Sequence, residues 1–192
     1  MNHSYISEYR TKFTFANEAV KHIRTGNRVR YAFGICQSNE LDIALARRKE
    51  ELMNISILYD SVIFPFEVMK SDPNQKHFHY EVCKWDGYSN YELSFTGLVN
   101  KSHHTRAAGL VFMASVSTMD SEGFFWYAKE VPENAFQAEI INADYVMVEV
   151  NENISEKRKS GGRIHISQVD LVVPSNNAPL LNSLNRKLST AS

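Results

Sequence analysis

The residues best placed to do chemistry lie in the run Gly34-Ile35-Cys36-Gln37-Ser38-Asn39. It falls between an alternating segment, Arg28 to Phe33, and the acid-bearing start of a helical pattern at Glu40-Leu41-Asp42. Backbone N–H groups at a strand-to-helix turn can hold a carboxylate or a developing oxyanion, because a helix start carries unpaired donors and the positive end of the dipole. The same residues also suit a tight turn with an ordinary cap. Cys36 has two readings: a nucleophile whose thiol the helix end acidifies, or a buried, inert thiol. No histidine or acid stands beside it to act as base. Asp120-Ser121-Glu122-Gly123 is turn chemistry that could also line a site. His77, His79, His103 and His104 show His-x-His and His-His spacing, but no cysteine or acid follows at zinc-like intervals, so no metal site is expected. His165 lies in an apolar segment and is expected to meet a hydrogen-bond partner. Neither GxGxxG nor GxxxxGK[ST] occurs, which leaves a nucleotide-phosphate cradle without support.

The elements that must position these residues follow from the hydrophobic pattern. After a short polar start, Thr14 or a neighbour can cap a helical stripe of Ala16, Ala19, Val20 and Ile23, with Gly26 suited to the left-handed position beyond its end. Arg28 to Phe33 predicts a strand with Val29, Tyr31 and Phe33 on one side. Leu41, Ala44, Leu45 and Leu52 supply the stripe of the next helix, for which Ser38 and Asn39 are cap candidates. Ile55 to Phe64 predicts a second strand ended by Pro65. A strand–helix–strand unit of this length implies a parallel pair with a right-handed crossover. Ser71 to His104 reads only as short strands and turns. Its aromatics suit a core better than a base-stacking surface, since they lack interleaved Lys and Arg. Beyond it come a strand at Gly109–Val116, a helix at Pro132–Ile141, a strand at Tyr145–Val150 and apolar segments up to Pro174, which is read as a stop. The class is α/β with a largely parallel sheet flanked by helices. Residues 1–174 are expected to form it and residues 175–192, rich in Asn and Ser, to form a linker or tail.

Composition excludes several classes. Of 192 residues, 43% are hydrophobic and 22% charged, which is globular rather than disordered. A net charge of -1 gives no long-range attraction to nucleic acid or anionic membrane. No apolar run reaches the ~18 residues of a membrane span. The opening residues, with Glu8, Arg10 and Lys12, lack a signal-peptide core, and Cys36 and Cys83 form no CxxC pair. A soluble, cytoplasmic protein is expected.

The strongest signal is an ordered series of moderate motifs. Val111 to Ser117 leads to Asp120-x-x-Gly123, then a helix, then Val148-Glu149-Val150-Asn151, then Arg163-Ile164-His165-Ile166-Ser167-Gln168-Val169-Asp170, then Pro179-Leu180. Glu18-Ala19-Val20 and Gly26-Asn27-Arg28-Val29 open the chain. This series resembles the amino-terminal, Rossmann-like domain of family I coenzyme A transferases, of the acetyl-CoA hydrolase/4-hydroxybutyrate CoA-transferase type. There V-S-P-x-D-x-x-G, A-E-V-N and I-H-V-S-D-I-D occur in this order.

The resemblance implies covalent acyl transfer through a glutamyl-CoA thioester, with coenzyme A as substrate and no other cofactor. The glutamate of such enzymes lies in the carboxy-terminal domain, and no segment here matches its surroundings, so no residue of this chain is assigned as nucleophile. By the same resemblance Gly34, Ile35, Cys36, Gln37, Ser38, Asp120, Gly123 and Asn151 are candidates for the acyl and carboxylate pocket. Lys157, Arg158 and Lys159 could meet CoA phosphates, or form a solvated loop beside Gly161-Gly162. Three loops depart from the family pattern. Gly34 to Asn39 keeps one glycine of G-x-x-x-G-x-P and lacks its proline, Thr118 replaces the proline of V-S-P-x-D, and Ile154 to Gly162 replaces M-P-R-T-x-G. The implied partner is a carboxy-terminal CoA-transferase domain or subunit in an oligomer. The alternative is a non-catalytic acyl-CoA or carboxylate-binding or scaffolding protein derived from the fold.

Overall fold

A computed structural model describes residues 3–32, 34–60, 66–82, 109–128, 131, 136–154 and 162–175. Its centre is a parallel sheet built from β1 (Arg28–Tyr31), β2 (Ile55–Tyr59), β3 (Phe78–Val82), β4 (Leu110–Val116), β6 (Tyr145–Asn151) and β8 (Leu171–Ser175), in the order β3-β2-β1-β4-β6-β8. Every neighbouring pair is parallel. Parallel strands need long crossovers, and α3 (Glu40–Arg47) supplies the one between β1 and β2. The chain starts at β1, builds outward to β3, then returns to the other side of β1 with β4. The order therefore reverses between β1 and β4, the place where α/β sheets open a crevice at the strands' carboxyl ends.

Two apolar layers cover the sheet. Val29 and Tyr31 of β1, Ile55 and Ile57 of β2, and Val111 and Met113 of β4 pack with Leu41 and Leu45 of α3. The alternate residues Phe112, Ala114, Val146, Val148 and Val172 form the opposite layer. There they meet Ile140 of α5 (Gln137–Asn142) and an antiparallel ribbon of β5 (Phe124–Trp126) and β7 (Arg163–His165). Every residue of β4 is buried, which explains its unbroken apolar run.

Three expectations are corrected and one element is added. The "polar start" is a helix, α1 (His3–Lys12), whose Tyr5 and Tyr9 lie four apart and pack on the Phe112 layer. Lys12 closes it by bonding Glu8 (2.7 Å) and the Ile166 carbonyl (2.8 Å). Thr14 caps nothing: α2 (Ala16–Ala19) starts after Phe15 with no side-chain cap. Glu67–Ser71 is a short helix, α4, between the strand expected to end at Pro65 and the stretch of short strands and turns expected from Ser71, where the sequence reading assigned no element. Pro174 does not stop the last strand. β8 runs through to Ser175, and its edge position tolerates a residue without an N–H. Gly26 does adopt the expected left-handed conformation (φ 82°). Among the described residues no helix is long and apolar enough to cross a membrane.

Candidate functional site

The carboxyl ends of the central strands gather one set of polar residues. The turn from Gly34 to Asn39 follows β1, Ser117 follows β4, Asn151 ends β6 and Ser175 ends β8 beside Asn151 in register. Gly34 sits at φ 61° and opens a single 3-10 turn, Gly34–Cys36, which the Gln37 N–H closes onto the Gly34 carbonyl (3.2 Å). Of Ile35 the structure describes the backbone. Cys36 is fully buried in the Phe112 layer, where its Sγ accepts the Ala128 N–H (3.4 Å), so the sulfur faces the core. Gln37 is half-buried. The Ser38 hydroxyl is fully buried and has no hydrogen-bond partner among the described residues.

The expected cap of α3 is absent. Asn39 makes no side-chain hydrogen bond to the helix start. Instead Glu149, buried on β6, reaches across the sheet edge so that its Oε2 accepts the N–H of Glu40 (2.8 Å) and of Leu41 (3.3 Å). Ser175 adds a side-chain hydrogen bond from β8. Burial pushes the Glu149 carboxyl up to about 7, against the lowering effect of these three donors, and the Glu40 charge pushes the same way as burial. Two donors that could have held an external anion are thus occupied by a carboxylate of the chain itself.

A second buried acid ties α3 to β1 and to the start of α4. Asp42 of α3 accepts the Tyr31 hydroxyl (2.9 Å) and the N–H groups of Glu67 (2.5 Å) and Val68 (3.4 Å), which caps α4. On the opposite face, Arg30 pairs with the half-buried Asp60 (2.5 Å) and with the buried Glu139 of α5 (3.4 Å), two carboxylates on one guanidinium. The second oxygen of Glu139 has no hydrogen-bond partner among the described residues. Burial raises the Glu139 pKa and Arg30 lowers it, with burial the larger effect.

The remaining sequence candidates divide. Asn151 joins the edge, where its Oδ1 accepts the Asn153 N–H (2.9 Å) and orders the turn after β6. Asp120 and Gly123 stand at the ribbon. Asp120 Oδ1 accepts the N–H groups of Glu122 and Phe124 (both 2.9 Å), and Oδ2 accepts the Trp126 indole N–H (3.0 Å). Gly123 has φ 87°, and a Cβ there would lie 2.8 Å from His165 Nε2. His165 finds its partner in Ser167 Oγ (2.8 Å). Lys157, Arg158 and Lys159 lie outside the described residues.

Sequence reasoning missed Glu149, Asp42 and the Arg30 cluster as parts of the site's frame. Glu149 had a signal: it is a lone charge in an apolar strand of a parallel sheet, where both faces are covered. Alternation set Arg30 only on the side of the strand opposite Val29, Tyr31 and Phe33.

No family model matches the chain. It is 34% identical over 187 residues to butyryl-CoA:acetate CoA-transferase from Anaerostipes caccae, covering 91% of this chain and 41% of that protein. It is 30% identical over 194 residues to a probable butyrate:acetyl-CoA coenzyme A-transferase from Syntrophomonas wolfei, covering 94% of this chain and 42% of that protein. The chain therefore spans about two-fifths of the length of these curated relatives, at their amino-terminal part. Among solved structures, 4-hydroxybutyrate CoA-transferase from Porphyromonas gingivalis superposes with a TM-score of 0.68 at 19% identity, covering 91% of this chain and 42% of that one. In sequence and in fold, the chain corresponds to the amino-terminal part of CoA-transferases of this type.

Proposed function

We propose that this chain is the amino-terminal half of a CoA transferase that exchanges CoA between small carboxylic acids, with the catalytic glutamate on a carboxy-terminal domain or subunit. The observation that carries the reading is the match of nearly the whole chain to the amino-terminal two-fifths of two CoA-transferases. By analogy with the names of those relatives, a short acyl-CoA such as butyryl-CoA and a free acid such as acetate are the substrates to try first.

In the proposed reaction the partner glutamate attacks the thioester carbonyl, forming an acyl anhydride and releasing CoA thiolate. The thiolate then attacks the glutamyl carbonyl, giving glutamyl-CoA and the first free carboxylate. An incoming carboxylate reverses the sequence. A carboxylate is a weak nucleophile, so the site must contribute position and oxyanion donors. This chain would supply a wall: the Gly34–Ser38 turn and Asn151 at the sheet edge, with Lys157, Arg158 and Lys159 available to CoA phosphates. Coenzyme A is the substrate, and the reading calls for no other cofactor. The assembly would be soluble and oligomeric, the two halves closing around the substrate.

The test is a transfer assay with butyryl-CoA and labelled acetate, on the chain by itself and with its carboxy-terminal half present. Transfer only with both halves is the expected result. Thioester binding without transfer, even with both halves present, would favour the alternative of a non-catalytic acyl-CoA-binding protein. The departures at Gly34–Asn39 are the observation behind that alternative.

A further inference from the structure

We propose that Glu149 is a positioning residue for CoA transfer: reaching from β6 to the first N–H groups of α3, it fixes the Gly34–Asn39 turn against the carboxyl ends of β4, β6 and β8. The inference rests on the proposed transferase reading and adds to it a residue that touches no substrate. Three observations carry it. Glu149 bridges elements that lie 109 residues apart in sequence, and it bonds the backbone of α3 immediately after the turn (2.8 and 3.3 Å). Asn39, the residue that should have capped the helix, makes no side-chain bond to it, so the helix start takes its cap from outside. Glu149 stands on β6 two residues before Asn151, the other candidate at this edge, and alternation puts both on one face of the strand.

The consequence is geometric. Without an acceptor at Glu149, the N–H groups of Glu40 and Leu41 lose the carboxylate oxygen that they share, and the turn must shift to find water or another oxygen. A displacement of about 1 Å in a group that positions a reacting carbonyl costs on the order of 100-fold in rate. The groups facing Glu149 are the Ser175 hydroxyl on β8, Glu40 on α3 and, in register on β4, Ser115; Glu40 is the charged one among them. Burial, with the Glu40 charge adding to it, disfavours a charged Glu149, which makes the bridge sensitive to pH. With the carboxyl at about 7, the charged acceptor is lost as pH falls through that value.

The experiment measures kcat and KM for acyl transfer against pH in the protein carrying both halves, as wild type, Glu149→Gln and Glu149→Ala. Glutamine keeps one carbonyl oxygen in place of the carboxylate. It is expected to lower kcat by about 3- to 10-fold and to abolish the acid limb of the wild-type kcat profile near pH 7. Alanine is expected to lower kcat by about 100-fold with less effect on KM for acyl-CoA. Amide hydrogen exchange at Glu40 and Leu41, read in the same proteins, is expected to speed up in Glu149→Ala and to be partly restored in Glu149→Gln. Wild-type transfer together with kcat values within about twofold for both variants, or an unchanged acid limb in Glu149→Gln, overturns the proposal and leaves the transferase reading standing. If Glu149→Ala does not fold, the Glu149→Gln profile decides. No transfer by the wild-type protein overturns the transferase reading itself, and this inference with it.

Discussion

Replacing Asp42 with asparagine separates the charge of a buried acid from its shape. Asp42 accepts the Tyr31 hydroxyl and the N–H groups of Glu67 and Val68, and its side chain lies almost entirely inside the protein. Its carboxyl is pushed from 3.8 up to about 6, first by burial, with those three donors pulling down and the Glu67 charge pushing up. The folded protein therefore holds this proton more tightly than the unfolded chain does. Stability from that group is full below about pH 4 and is lost as pH rises through about 6. The rise is about two pH units, and at roughly 1.4 kcal/mol each the ionised acid costs about 3 kcal/mol above pH 6. Asparagine does not titrate, but it turns an amide toward N–H donors, a pH-independent loss of about 1–3 kcal/mol. The difference in stability between Asp42→Asn and wild type is thus expected to move by about 3 kcal/mol in favour of the variant between about pH 4 and pH 7.5. Urea unfolding followed by circular dichroism at a series of pH values measures it directly. A difference that stays flat over that interval, or that moves against the variant, would show that burial does not govern this acid.

Two more perturbations probe the frame around the site. Gly123→Ala combines a left-handed backbone (φ 87°) with a Cβ placed 2.8 Å from His165 and 3.1 Å from the Tyr5 ring, so a loss of about 1–3 kcal/mol is expected in the same unfolding assay. Arg30→Met leaves Asp60 and the buried Glu139 without their cation, and the cost is expected to be about 3–5 kcal/mol at neutral pH. Because burial already raises the Glu139 carboxyl and Arg30 is what opposes it, that variant should lose less stability in acid than at pH 7. Equal losses at both would count against the cluster.

Local pattern made the sheet legible and left its braces hidden. The apolar runs at Val111–Val116 and Tyr145–Val150 and the Gly26 stop each have a neighbour-scale cause and lie in the structure where the pattern put them; of the strand expected over Ile55–Phe64 the structure has Ile55–Tyr59, and residues 61–65 lie outside the described ones. What failed depends on partners distant in sequence. The cap of α3 comes from Glu149 and that of α4 from Asp42, so the local cap signal at Ser38 and Asn39 goes unused and the start of α4, at Phe66, carries none. Alternation set Arg30 opposite Val29 and Tyr31 and named no partner for it; a parallel sheet covered on both faces has no wet side, and the arginine is buried against Glu139 and Asp60. Helix α1 hides for another reason: its polar residues outnumber its apolar ones, and the i, i+4 pair Tyr5–Tyr9 that docks it forms too short a stripe to stand out. The Gly34–Ser38 turn was found from its place between strand and helix. That two of the donors beside it are taken from within could not be read from spacing.

The most direct test of the central claim is to trap the covalent intermediate and ask which half carries it. The protein with both halves present would be incubated with acyl-CoA, quenched in acid, digested and searched by mass spectrometry for a peptide bearing CoA as a thioester. The adduct is expected on a glutamate of the carboxy-terminal half, with none on any peptide from residues 1–192. A CoA or acyl adduct on this chain, at Cys36 or at any of its glutamates, would contradict the assignment of this chain as a wall of the site without a nucleophile of its own.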